Sequence, residues 1–276
     1  MESDSLIPHT NAPLRIVVFD LDETLGYFAE FGMFWNAVET FYGRKLTQLE
    51  FNHTLDLYPE FIRPDIINIL QFLKRKKEQK KCSHLMIYTN NSGPKEWAVF
   101  IKTYFESKLD SVIFDRIIAA FKVNGEQIEL CRTTHNKTHG DFIKCTKLPT
   151  NSQICFLDDI YHPEMDNDNV YYINVKPYVY DLDYHTLIDR YVASNPDRYV
   201  ASNPDRYVAS NPDITGNRFR THVLSHLKRY NHEVVAKNPK EHEIERILTK
   251  HILQHIRAFF NQSKPPRRET KRNNDK

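Results

Sequence analysis

Asp20 and Asp22 stand two residues apart in Asp20-Leu-Asp-Glu-Thr-Leu25, directly after the apolar run Arg15-Ile-Val-Val-Phe19. On a loop leaving a strand, two carboxylates at this spacing can take separate roles. One can attack phosphorus and bind a metal, while the other moves a proton. Forming an acyl phosphate on a carboxylate splits a difficult phosphoryl transfer into two easier steps. A phosphoryl dianion repels a bare carboxylate, so this chemistry calls for a divalent cation. Mg²⁺ takes oxygen ligands, usually with one or two protein carboxylates among them. A D-x-D alone also suits a solvated turn. Its position at the end of a buried strand, with Thr24 following, favours the chemical reading.

The surrounding elements must deliver these groups to one place. The Arg15–Phe19 run has the continuous apolar character of a parallel strand buried on both faces. Leu85-Met-Ile-Tyr88 ends at Thr89, Ile154-Cys-Phe-Leu157 ends at Asp158-Asp159, and Val170–Val175 precedes Lys176-Pro177. Helical patterns lie between these runs. Arg63-Pro64 opens one, with Ile66, Ile67, Ile69, Leu70 and Leu73 on an apolar face, and it runs out in the charged stretch Lys74–Lys81. Pro94 opens another, with Trp97, Ile101, Tyr104 and Phe105 at helical spacing. Strands alternating with helices predict an α/β fold with a central parallel sheet flanked by helices. Ligands of such sheets bind outside the carboxyl ends of the strands. Three of the predicted strands end there in Asp20, Thr89 and Asp158-Asp159.

Asp-Leu-Asp-Glu-Thr-Leu resembles the first motif of the haloacid dehalogenase (HAD) superfamily of phosphatases. More narrowly, it resembles the NLI-interacting-factor-like branch that acts on the RNA polymerase II C-terminal domain. Thr89 in Leu-Met-Ile-Tyr-Thr-Asn matches the second motif, and Asp158-Asp159 in Phe-Leu-Asp-Asp matches the fourth. The third is a Lys before the last acidic strand. His139-Gly-Asp-Phe-Ile-Lys144 is similar to the branch's version, which makes Lys144 the choice and Lys137 the runner-up. Arg63-Pro64 is similar to the pair opening the branch's first long helix, and Arg132 to an Arg upstream of the third motif.

The resemblance covers roughly residues 14–190. It implies a Rossmann-like fold with a small cap or none, and a Mg²⁺-dependent phosphatase working through an aspartyl-phosphate. Asp20 would be nucleophile and metal ligand. Asp22 would be acid and base, and would also contribute to the metal. Thr89 and Asn90 would hold the phosphoryl group, and Lys144 would offset its charge. Asp159 would bind the metal, with Asp158 on Lys144 or on the metal's shell. The implied substrate is a phosphoprotein bearing phospho-Ser or phospho-Thr. Tyr-Thr-Asn-Asn and Asp159 stand where the polymerase-tail enzymes usually have a Thr-Ala-Ser type sequence and Asn.

The same residues have simpler readings. Thr89 and Asn90 suit a turn or helix cap, Lys144 a surface lysine, and His135, His139 and His162 exposed loops. Trp35 and Trp97 suit packing, and Met33-Phe34-Trp35 either core or a flap over the site. The alternative functions are a nucleic-acid end phosphatase, a small-molecule phosphatase, and a non-catalytic binding module.

Composition bounds the rest. The 276 residues carry 38 Lys and Arg against 36 Asp and Glu, with 40% hydrophobic, enough for a packed core. The balance is uneven along the chain, because residues 214–276 hold 15 Lys and Arg against six Asp and Glu. Five segments follow. Residues 1–13 form an N-terminal tail and 14–188 the phosphatase-like domain. Residues 189–212 repeat Asp-Arg-Tyr-Val-Ala-Ser-Asn-Pro three times and read as a spacer. Residues 213–261 form a basic helical extension and 262–276 a disordered basic tail. The extension is where an anionic partner or nucleic acid would bind. No apolar run approaches the ~20 residues of a membrane span, and Glu2 and Asp4 do not suit a signal peptide. An intracellular protein of cytoplasm or nucleus is expected, with Cys82, Cys131, Cys145 and Cys155 as reduced thiols.

Overall fold

Strand β1 (Arg15–Phe19) occupies the middle of a five-stranded parallel sheet. On one side it pairs with β2 (His84–Tyr88), and β3 (Arg116–Ile118) lies beyond. On the other it pairs with β6 (Gln153–Asp158), and β7 (Val170–Asn174) lies beyond. The order β3-β2-β1-β6-β7 therefore reverses direction at β1, which opens a crevice between the carboxyl ends of β1 and β6. The computed structural model describes residues 13–94, 96–194, 212–232, 234 and 239–262. The N-terminal tail to residue 12, residues 195–211 of the repeat region and the basic tail from 263 onward lie outside these.

The unbroken apolar run of β1 arises because both faces of the strand are covered. Val17 and Phe19 enter the larger core, while Ile16 and Val18 enter a smaller one with Met86, Tyr88, Ile154 and Phe156. Helices α1 (Ala29–Tyr42), α2 (Gln48–Asp56) and α3 (Ile66–Glu78) fill the connection from β1 to β2. Helix α4 (Trp97–Leu109) links β2 to β3. A short hairpin, β4 (Lys122–Val123) with β5 (Glu126–Gln127), and α5 (His139–Thr146) precede β6. Helix α2 opens with a capping box. The Glu50 N–H donates to Thr47 Oγ1 at 3.3 Å, and the Thr47 N–H donates to Glu50 Oε2 at 2.7 Å. Phe34, Trp35 and Trp97 are core residues, so Met33-Phe34-Trp35 belongs to a packed helix. Among the described residues no separate cap domain stands over the sheet.

After β7 come α6 (Tyr184–Ser194), α7 (Pro212–Lys228) and α8 (Pro239–Asn261). The two C-terminal helices expected from apolar stripes are present, but they are part of the same packed unit rather than an appendage. Phe219, Val223 and Leu227 are fully buried, with the Phe219 ring 5.0 Å from Phe41 and 5.2 Å from Tyr191. Ile252, Ile256, Phe259 and Phe260 join the larger core. The Arg15 guanidinium donates to the carbonyls of Phe260 at 2.6 Å and Gln262 at 2.5 Å. In α8 the buried face is rotated from the apolar stripe. Ile244 and Ile247 are exposed, while Glu245 and Thr249 face inward. Among the described residues, Arg218, Lys228, Arg229, Lys240, Arg246, Lys250 and Arg257 are exposed, where their charge does not oppose burial of the inner face.

The cysteine expectation is corrected. Cys131 and Cys145 form a disulfide with a Cα–Cα distance of 5.0 Å, and only Cys82 and Cys155 are free thiols. The separation of 14 between Cys131 and Cys145 hid the pair, since α5 folds back to bring its last turn against the loop that precedes it.

Candidate active site

Asp20 is the first residue beyond β1, and its N–H donates to the Leu157 carbonyl of β6 at 2.8 Å. The backbone then turns sharply. Glu23 takes a left-handed φ of 59° and donates its N–H to Gly26 O at 2.7 Å. Gly26 is required by close approach, because a Cβ there would lie 2.5 Å from the Phe61 carbonyl and 2.7 Å from the Phe28 ring. Buried Arg63 fixes the loop from outside. Its Nε donates to Thr24 O at 2.7 Å, and one amino group donates to Glu23 O at 2.5 Å and Lys176 O at 2.8 Å. Its other amino group lies 3.6 Å from a carboxylate oxygen of Glu245 in α8. The Arg63-Pro64 signature is thus a clamp on the Asp20–Leu25 loop, and the C-terminal helix supports it.

Lys137 reaches the same point from the loop before α5. Its Nζ donates to Asp20 Oδ1 and, at 2.6 Å, to Asp158 Oδ2. The side chain is only 2% exposed. Burial disfavours the ammonium, but the two carboxylates outweigh this and raise its pKa above the ordinary lysine value. Arg132 holds that loop in place. It is buried, and it donates to Thr89 O at 3.2 Å, Ala119 O at 2.9 Å, His135 O at 2.9 Å and Asn136 O at 3.1 Å. The expected lysine is corrected: Lys144 is exposed on α5, and Lys137 occupies the carboxylate cluster. The Thr138 hydroxyl accepts from the Asp141 N–H at 2.9 Å to start α5, which turns Lys144 outward.

Thr89, 2% exposed, follows β2, and its hydroxyl oxygen accepts from the Asn91 N–H at 2.9 Å. Asn91 then donates its side-chain amide to Asp22 Oδ2 at 2.7 Å and accepts from the Gly93 N–H at 2.8 Å. Asn90, the expected partner of Thr89, is exposed, and Asn91 makes the contact instead. The turn signal Asn-Asn-Ser-Gly-Pro contained this residue but could not say which amide faced inward. Burial, then the charge of Asp20, pushes the Asp22 carboxyl up to about 6, a range suited to exchanging a proton near neutrality.

Asp158 accepts from Lys137 and, through Oδ1, from the Ile160 N–H at 2.9 Å. Asp159 accepts from the Thr24 hydroxyl at 3.2 Å. Burial raises the Asp20 and Asp158 carboxyls, while Lys137 opposes the rise in both. His162 lies 3.6 Å from Asp158, and burial followed by the charge of Lys137 lowers it to about 4, so it is neutral near pH 7. His135 packs on Phe121, but His139 opens α5 and His162 is buried rather than exposed, and the three do not form a cluster among the described residues.

One carboxylate oxygen from each of Asp20, Asp158 and Asp159 lies within 4.8 Å of the others. Three acids against one lysine leave the cluster short of positive charge, and all its donors are hard oxygens. This suits Mg²⁺. Two surface clefts of about 430 and 450 Å³ meet at Asn91, Gly93 and Pro94. The first runs over Met33 and Trp97, the second over Ala119, Ala120 and Asn124. No helix among the described residues is long and apolar enough to cross a membrane. No known family, curated protein or solved structure matches this chain.

Proposed function

We propose that this protein is a Mg²⁺-dependent phosphatase of the HAD superfamily that hydrolyses phosphate monoesters through an aspartyl-phosphate on Asp20. One observation carries the reading. A buried lysine, Lys137, is shared by Asp20 and Asp158 across the two neighbouring strand ends at which the sheet order reverses. A purely structural ion pair would need one carboxylate. Here three converge, with a fourth, Asp22, held by Asn91.

The proposed roles are as follows. An Asp20 oxygen attacks phosphorus as the bond to the leaving oxygen breaks, and Asp22 gives that oxygen its proton. Asp22 then takes a proton from water as the water oxygen attacks the same phosphorus. The acyl-phosphate bond breaks, Asp20 returns as carboxylate, and inorganic phosphate leaves. Lys137 and the Thr89 hydroxyl offset charge on the phosphoryl oxygens. Asp20, Asp158 and Asp159 would hold Mg²⁺, which when bound neutralises charge between the carboxylates and the phosphate. The lack of a cap domain among the described residues and the two clefts beside Asn91 suit a phosphate displayed on a larger molecule. A phosphoprotein is therefore the preferred substrate class.

The test is phosphate release from an aryl phosphate with Mg²⁺. Asp20→Asn should abolish it, and undiminished turnover in that variant would end the reading. Phosphopeptides, phosphosugars and 5′- and 3′-phosphorylated oligonucleotides compared in the same assay then decide the substrate class.

A further inference from the structure

Away from the carboxylate loop, Glu30, Asp181 and His232 converge from the first turn of α1, the segment leading into α6, and the turn after α7. One carboxylate oxygen from each acid and a ring nitrogen of His232 all lie within 4.8 Å of one another. Glu30 is 0% exposed. Its Oε2 accepts from the Leu182 N–H at 2.8 Å, and its Oε1 has no hydrogen-bond partner. A buried carboxylate oxygen left without a partner is costly, and a bound cation would supply what the oxygen lacks. Asp181 is also buried, with Oδ1 2.8 Å from His232 Nε2.

We propose that Glu30, Asp181 and His232 form a site for a transition-metal cation of the Zn²⁺ class, separate from the Asp20–Asp158–Asp159 cluster. The imidazole decides the class, since Zn²⁺ takes mixed nitrogen and oxygen donors whereas Mg²⁺ takes oxygens. Two carboxylates match the charge of the ion. Bonds of ~2.0–2.2 Å set ligand atoms about 3–4 Å apart, so the Asp181–His232 pair, now 2.8 Å apart, would part slightly as its hydrogen bond gives way to the metal, with all three ligand atoms starting within 4.8 Å of one another. On binding, His232 offers the Nε2 lone pair to the metal, and the ring carries its proton on Nδ1. The side chain of His232 is 22% exposed, which leaves a fourth position to water. The surroundings support this arrangement. The Leu182 N–H stays on Glu30, and the Tyr184 hydroxyl donates to the His232 carbonyl at 3.2 Å. Such an ion would tie α1, the approach to α6 and the end of α7 together. This inference does not rest on the phosphatase reading.

The full chain is stripped with a chelator, kept non-reducing so that Cys131–Cys145 stays closed, and titrated with Zn²⁺ in excess Mg²⁺. The wild type is expected to bind one equivalent more than His232→Ala, to give a Co²⁺ absorption spectrum that the variant lacks, and to gain thermal midpoint on Zn²⁺ addition when the variant does not. Asp159→Asn is expected to bind like the wild type. Glu30→Gln is expected to lose the same equivalent. Should it fail to fold, His232→Ala, which alters a partly exposed side chain, still decides. Equal Zn²⁺ binding by wild type and His232→Ala overturns the proposal, as does an equivalent lost from Asp159→Asn and kept in His232→Ala.

Discussion

The Asn91 side-chain amide donates to Asp22 Oδ2 at 2.7 Å while its backbone N–H donates to Thr89 Oγ1 at 2.9 Å. One residue therefore aligns the proposed proton carrier with the proposed phosphoryl-binding hydroxyl. Removing Asp22 should cost the ~10²–10⁴-fold typical of a general acid-base group. Asn91→Ala should cost less, roughly 10²-fold, because displacement of a reacting group by about an ångström has that effect. The comparison to make is kcat for aryl phosphate in Asp22→Asn and Asn91→Ala, and equal rates in wild type and Asn91→Ala would refute the positioning role.

Lys137 and Lys144 make opposite predictions. Lys144 is exposed and should tolerate alanine with turnover unchanged. Lys137→Met leaves Asp20 and Asp158 facing each other without their shared cation. Stability should fall by about 3–5 kcal/mol in the absence of Mg²⁺, and turnover by ~10²–10³-fold or more. Urea denaturation and single-turnover kinetics separate the two effects.

Glu245 is 1% exposed and faces Arg63 at 3.6 Å and Lys176 at 3.4 Å. Glu245→Ala leaves a buried guanidinium amino group uncompensated, and a loss of about 3–5 kcal/mol is expected. Because Arg63 also holds the carbonyls of Glu23 and Thr24, activity should fall in the same variant. Full activity after deletion of α8 would contradict the packing described above.

Glu50 carries a predictable pH dependence. Its bonds to Arg44 lower the carboxyl to about 2, aided by Thr47. A depressed carboxylate contributes stability that is complete above the unfolded pKa of ~4.3. That contribution is lost as pH falls through the folded value of about 2. Arg44 is 53% exposed, so screening keeps the pair modest. Glu50→Gln should cost ~0.5–1 kcal/mol at pH 7, and the wild-type and variant stabilities should converge below pH 4.3.

The Cys131–Cys145 bond closes a loop with a sequence separation of 14 that contains Arg132 and Lys137. In the chain-entropy view a loop of about 15 residues contributes ~3 kcal/mol. Cys145→Ser should lose a comparable amount under non-reducing conditions and nothing further on adding reductant. Denaturation with and without dithiothreitol checks this.

The strand runs ending at Asp20, Thr89 and Asp158-Asp159 were legible in the chain, because burial on both faces demands unbroken apolar stretches and the acids must follow them. The helices after Arg63-Pro64 and Pro94 were legible for the same reason of periodicity. Which lysine enters the cluster was not. Lys137 and Lys144 have the same chemistry, and the choice depends on where Arg132 pins the loop and where Thr138 starts α5. Asn91 rather than Asn90 depends on the course of one turn. The C-terminal helices looked like a basic appendage because composition sums over both faces. Only three-dimensional packing separated the buried Glu245, Ile256 and Phe259 from the charged exterior. Local sequence determined the elements and the chemical groups they carry, while long-range contacts decided which of those groups meet.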